Sequence, residues 1–194
     1  LRLHDIDQGE IRIDGVDIRN YNEATLRKNI SIVLQSATLF SGTVKSNIVQ
    51  GDLDAVEDDI TRAAKIAQAK EFIDRLPENY ESIVYQRGNN LSGGQKQRIS
   101  IARGLVGNPR ILILDDSTSA LDAKSESLVK KALNRELKNT TTIMVAQKIS
   151  SIIDADKIVL IDQGQILAVG SHEELMNNSV HYKNIYNTQL GEEA

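Results

Sequence analysis

Leu91-Ser92-Gly93-Gly94-Gln95-Lys96-Gln97-Arg98 and the apolar run that follows it, Ile111-Leu112-Ile113-Leu114-Asp115-Asp116, decide how this sequence is read. The first stretch has the form of an anion-binding helix start. Ser92 is a capping residue, Gly93 and Gly94 let the backbone come close to a ligand, and helical spacing runs from Gln95 to Leu105. The first N–H groups of such a helix have no intrahelical acceptor, and the helix dipole makes that end positive. The second stretch is a short continuous apolar run ending in two carboxylates. A buried parallel strand delivering acids to a Mg²⁺-nucleotide site has that form. Phosphate donors followed by metal-holding acids point to nucleotide chemistry.

Taken together, LSGGQKQR, ILILDD and Ser119-Ala120-Leu121-Asp122 closely resemble the nucleotide-binding domain of ABC transporters, specifically of the multidrug/lipid exporter type. The resemblance implies an α/β fold of the P-loop NTPase kind. Its parts would be a mostly parallel sheet, an antiparallel hairpin and an inserted helical subdomain. It also implies ATP and Mg²⁺ as cofactors, a second ABC ATPase domain as head-to-tail partner, and an exporter's transmembrane domain as the element driven.

The resemblance carries over residue by residue. Ser92, Gly93, Gly94 and Gln95 are the LSGGQ signature, which would contact ATP held by the partner domain, chiefly through backbone N–H groups. By the same resemblance Asp115 would be the Walker B acid, holding Mg²⁺ through water, and Ser119, Ala120, Leu121 and Asp122 would be the D-loop crossing the dimer interface. Gln35 closes a predicted strand where the family has its Q-loop glutamine, a ligand of Mg²⁺ or of the attacking water. The segment Leu39 to Val44 after it looks like the part that faces the membrane domain. Two positions depart from the family pattern. Asp116 stands where a glutamate orients the attacking water, and Gln147 stands where the switch histidine is found. Asp116 is one methylene shorter, and a misplacement of about 1 Å can cost about 100-fold in rate. Gln147 can donate a hydrogen bond but cannot carry a proton. The pair resembles the degenerate-site half of a heterodimeric exporter; tolerated variants in a homodimer are the alternative.

One motif is absent: the 194 residues contain no G-x-x-x-x-G-K-[ST] string, the Walker A phosphate loop. Leu1-Arg2-Leu3 reads as the tail of a helix already under way, so the chain is expected to be truncated after that loop, lacking its strand and helix. The expected consequences are weak or no ATP binding by this chain alone, and an apolar flank of the sheet left open to oligomerisation. The expected division is one partial ABC ATPase domain over 1–194, with 1–35 and 89–194 as core and 36–88 as helical subdomain.

Composition narrows the alternatives. A net charge of −4 offers no electrostatic footprint for nucleic acid. A DNA-associated ATPase of the SMC or Rad50 kind is further disfavoured by the short distance from Gln35 to Leu91, where those relatives carry a long coiled coil. A non-catalytic interaction fragment remains a second alternative. No window approaches the roughly 18 apolar residues of a membrane span, so the chain itself is expected to be soluble, at the cytoplasmic face of its parent's membrane. Without cysteine, disulfides and thiolate metal sites are excluded. His4, His172 and His181 show no ligand spacing.

The remaining elements follow from periodicity and punctuation. Asp14-Gly15 between Glu10–Ile13 and Val16–Ile18 predicts a two-residue hairpin. A short helix over Ala24–Lys28 leads into a strand at Ile30–Leu34. Helical pattern over Ala55–Leu76 puts Ile60, Ala63, Ala64 and Ala67 on one face. A helix over Asp122–Lys138 has Leu128, Val129, Ala132, Leu133 and Leu137 as its inward stripe. Strands at 140–146, 157–161 and 166–169, a short helix at 149–155, a capping box at Ser171-His172-Glu173-Glu174 and a last helix near 182–190 complete the chain. An acidic tail ends it.

Overall fold

The structure, a computed structural model, describes residues 1–191; the acidic tail lies outside them. The chain packs as two compact units, Leu1–Ile143 and the part from Met144 onward.

The first unit opens with the hairpin of β1 (Arg12–Ile13) and β2 (Val16–Asp17). Asp14 and Gly15 both take positive φ, 49° and 80°, as a turn matching the twist of the flanking strands requires. Helix α1 (Glu23–Asn29) is capped by Asn22, whose Oδ1 accepts from the Ala24 and Thr25 N–H groups, and it runs straight into β3 (Ile30–Val33). Strand β3 pairs in parallel with β6 (Ile111–Asp115), in the register Ile30↔Ile111 to Val33↔Leu114, and β7 (Thr141–Val145) lies on the other side of β6. Leu1–Leu3 is not helical, and Arg2 has φ 53°. Three residues are too few to close an i→i−4 hydrogen bond.

Between β3 and β6 the chain forms the short antiparallel pair β4 (Gly42–Thr43) and β5 (Ile83–Val84) and the helices α2 (Val44–Val49), α3 (Glu57–Ile66) and α4 (Lys70–Ile73). Ile60, Ala63, Ala64 and Ala67 are all buried, as the spacing predicts. Helix α5 (Gly93–Leu105) then lies across β3. Its approach is close because position 104 is glycine: a Cβ there would stand 2.6 Å from Val33 Cγ2. Val33, Leu112 and Leu114 are buried on the helix side of the sheet, while Ile32 is 41% exposed and its register partner Ile113 half-buried. The sheet thus presents an apolar face to solvent.

Helix α6 (Ala123–Glu136) buries Val129, Ala132 and Leu133, with Leu137 just beyond its end. Leu128 is 43% exposed, so the inward stripe is narrower than the sequence suggests. Position 128 stands next to the true stripe, and one step along a helix turns a side chain by about 100°.

The second unit carries α7 (Ile149–Ile152), the antiparallel hairpin of β8 (Ile158–Asp162) and β9 (Gln165–Gly170), α8 (His172–Asn178) and α9 (Val180–Leu190). Its own small core is Ile149, Ile158, Leu175 and Tyr182. The capping box forms as read: Ser171 Oγ accepts from Glu174 N–H, and the Glu174 carboxylate accepts from Ser171 N–H. His172 is a packing residue, its Nδ1 2.9 Å from the buried Tyr182 hydroxyl. Among the described residues no helix is long and apolar enough to cross a membrane.

Candidate nucleotide site

The glycine-tipped helix start is built by a reciprocal cap. Ser92 Oγ accepts from the Gln95 N–H (3.3 Å), and Gln95 Oε1 accepts from the Ser92 N–H (2.9 Å). That leaves the Gly93 and Gly94 N–H groups, the first two of α5, without intrahelical acceptors. The Ser92 hydroxyl proton and Gln95 Nε2 also remain free to donate. Ser92 and Gly93 are exposed, and a Cβ on Gly93 would meet nothing within 4 Å. The Gly94 Cβ position lies 3.6 Å from the Ala120 carbonyl oxygen, so the second glycine sits against the segment Ser119–Asp122 of its own chain. Neither glycine has positive φ. Neither is therefore demanded by the backbone or by local crowding.

The helix is held by the residues just after the glycines. Gln97, almost wholly buried, donates from Nε2 to the Leu34 carbonyl at 3.3 Å and so ties α5 to the end of β3. Arg98 donates to the Gly94 and Gln68 carbonyls (3.2 and 3.0 Å) and stacks over Phe72, 4.8 Å from the ring centre. Burial pushes its guanidinium below its ordinary pKa, partly offset by the charges of Asp122 and Glu71. Further along, Arg103 donates to the Asn47 and Thr38 carbonyls and to Asn47 Oδ1, again with its pKa lowered by burial. Asn47, fully buried, clamps Phe40 from both sides: Oδ1 accepts the Phe40 N–H at 2.9 Å and Nδ2 donates to the Phe40 carbonyl at 2.8 Å. The half-exposed ring of Phe40, 5.4 Å from the Arg103 guanidinium, is thus presented from a fixed loop. Sequence reasoning read Gln97 and Arg98 as the close of LSGGQKQR without giving them a role, and did not single out Arg103 or Asn47. Only the glutamine and arginine closing LSGGQKQR gave a signal.

The acids stand at the tip of β6. Asp115 is the strand's last residue, and Asp116 follows in a left-handed conformation, φ 43°. Gln35, 81 positions away in sequence, donates from Nε2 to Asp116 Oδ2 at 2.8 Å. The structure therefore brings Gln35 and the tip of β6 together. Asp122 caps α6: its Oδ1 accepts the Ser125 N–H (2.9 Å) and its Oδ2 accepts the Ser125 hydroxyl (2.6 Å). These bonds, aided by the Arg98 charge, hold its carboxyl below the usual aspartate value. Ser119 and Ala120 are exposed, and Leu121 is buried. Gln147 belongs to the second unit, where its carbonyl accepts from Gln189 Nε2 and its side chain is exposed.

No cluster of three or more acidic, histidine or cysteine ligands exists among the described residues. Two carboxylates and an amide fit Mg²⁺ of the kind that takes its other ligands from water and substrate phosphate. They do not fit a protein-only metal cage.

Comparison with known proteins places this geometry. The "ABC transporter" family profile matches residues 1–119. The chain is 47% identical to the putative multidrug export ATP-binding/permease protein YgaD of Bacillus subtilis, over 97% of this chain and 32% of that protein. It is 45% identical to ABC transporter B family member 4 of Dictyostelium discoideum, over 99% of this chain and 25% of that protein. A bacterial Atm1-family ABC exporter solved with ATP bound superposes on all of it, with a TM-score of 0.94 and 39% identity, over 34% of that structure's chain. The chain belongs to the ABC transporter family. It spans about a third or less of the relatives it matches.

Proposed function

We propose that this chain is part of the ATP-binding and ATP-hydrolysing motor domain of a membrane ABC exporter, and that it supplies the signature motif to ATP held on a partner domain. The observation that carries this reading is Gly93. Its glycine serves nothing within the chain, since a Cβ there would meet open space at ordinary φ, so the room it leaves is for something outside. In the proposal, the Gly93 and Gly94 N–H groups and the Ser92 hydroxyl face a triphosphate bound head to tail on a second ABC ATPase domain. Asp115 and Gln35 are the Mg²⁺ ligands, and Asp116 and Gln147 are the residues beside the attacking water and γ-phosphate. The segment 36–88 is the helical subdomain, with Phe40 turned toward an exporter's transmembrane domain at the cytoplasmic face. The sequence contains no phosphate loop, and we propose that ATP binding by this chain alone is weak or absent.

Adding the chain to an ABC ATPase domain that carries a phosphate loop tests this. ATP turnover should rise with the wild-type chain and not with Gly93→Arg, whose Cβ meets nothing within 4 Å in this fold. Equal stimulation by both, or micromolar MgATP binding by the isolated chain in calorimetry, overturns the reading. Asp116 and Gln147 together favour a slow, ATP-holding site on this side of an asymmetric pair. Restoring Glu and His at those positions should then raise turnover in a full-length exporter carrying this domain, and an unchanged rate would favour tolerated variants.

A further inference from the structure

Gln189, near the end of α9, grips the backbone on both sides of Lys148. Its Oε1 accepts the Ile149 N–H at 2.8 Å, and its Nε2 donates to the Gln147 carbonyl at 2.9 Å. Both ends of the amide are spent, and only one orientation of it serves both partners, since one is a donor and the other an acceptor. The start of α7 has a use for this. Lys148 stands at its cap position and makes no side-chain cap bond, and the N–H of Ile149, the first helical residue, has no acceptor within the helix. Helix α9 is built to reach that point. Tyr182, Ile185, Tyr186 and Gln189 follow the i, i+3, i+4, i+7 spacing of a single helix face. Tyr182 is buried, and Ile185 and Tyr186 pack against the small core to which Ile149 also belongs. The stripe that anchors α9 thus carries Gln189, two turns beyond Tyr182, to the start of α7.

We infer that Gln189 is a positioning residue for Gln147: its amide stands in for the missing cap on α7 and fixes the backbone from which the Gln147 side chain projects. The inference rests on the proposed function for its meaning, because Gln147 is there the residue beside the γ-phosphate. A glutamine carries no charge that would draw it to a phosphate. Where its backbone is held therefore decides where its amide can reach.

Nuclear magnetic resonance on this chain without nucleotide tests it, through the exchange rate of the Ile149 N–H and the ¹⁵N order parameter of the Gln147 amide. Gln189→Met keeps the length and apolar contact of the side chain but makes neither hydrogen bond. It should speed Ile149 exchange by about fivefold or more, the scale of a lost helix cap. The Gln147 order parameter should fall from the rigid range, about 0.85, toward the flexible range below about 0.6. Gln189→Glu, ionised at neutral pH, keeps the acceptor and removes the donor, so Ile149 should stay protected while Gln147 loosens. The β8 and β9 amides should be unchanged in both variants, which separates loss of the two bonds from general loosening of the unit. Should Gln189→Met lose the dispersed spectrum of a folded protein, Gln189→Ala is read in its place with the same expectations. Wild-type values at Ile149 and Gln147 in the Met or Ala variant, or an equal change across β8 and β9, would overturn the inference. No nucleotide or partner enters this measurement, so its failure is separable from failure of the turnover assay.

Discussion

Asn47→Ala removes the node that joins the exposed Phe40 loop to the signature helix. The Asn47 side chain is fully buried and makes four hydrogen bonds: from the Phe40 N–H and Arg103 Nη2 to its Oδ1, and from its Nδ2 to the Phe40 and Thr43 carbonyls. A neutral hydrogen bond contributes about 1 kcal/mol net, one to a charged group about 1.5–3 kcal/mol, and a buried partner left unpaired costs about 1–3 kcal/mol. The Thr43 carbonyl also receives the Ser46 hydroxyl, and Arg103 keeps its bonds to the Asn47 and Thr38 carbonyls, so part of the network survives. The Phe40 N–H and carbonyl have no such substitute, although the loop can relax toward water. These terms together give a loss of about 3–4 kcal/mol. Because the chain packs as two units, a single unfolding curve is a poor readout. Residue-resolved hydrogen exchange is the suitable assay. Protection of the α2 and α5 amides should fall by about 100-fold or more, since each 1.4 kcal/mol is about tenfold. Less than about fivefold, with Phe40 still protected, would refute the view that Asn47 organises this loop.

Two further outcomes follow from the same contacts. Gly51→Ala and Gly93→Ala are the same chemical change with opposite expected results: a Cβ at 51 would fall 1.9 Å from the Arg103 carbonyl oxygen, whereas at 93 it meets nothing. The first should destabilise by about 3 kcal/mol and the second should stay within about 0.5 kcal/mol, read from hydrogen exchange of the α2 and α5 amides; equal effects would contradict the packing described. Asp122 supplies a pH dependence with a defined sign. Its folded pKa is depressed by the Ser125 bonds, so its stabilising contribution is present above the unfolded aspartate value, about 3.9, and is lost as pH falls through the lower folded value. Wild type and Asp122→Asn should therefore converge or cross in the hydrogen-exchange stability of the α6 amides as pH drops below about 4. A constant gap from pH 6 down to pH 2 would contradict the cap's charge.

Local chemistry made most elements readable. Caps at Ser92 and Ser171, the Asp14-Gly15 turn and the four-residue apolar stripe of α3 are set by neighbours within a few positions, and their periodicity is in the chain itself. The family was legible for the same reason, since LSGGQKQR and ILILDD are contiguous strings. Where burial depended on what lies opposite, periodicity alone was a weaker guide, as Leu128 at the margin of its stripe shows.

The sequence by itself determined the family, most of the order of helices and strands (though not α2 or the β4–β5 pair), and which residues stand at the helix start and at the strand tip. The tertiary structure decided what those residues touch. Gln35 meets Asp116 across 81 positions, Gln97 reaches the end of β3, and Arg103 and Asn47 lock Phe40 in place. No string encodes such meetings, because each depends on how closely α5 approaches the sheet. That distance is set by packing at Gly104, where one hydrogen in place of a methyl group admits Val33.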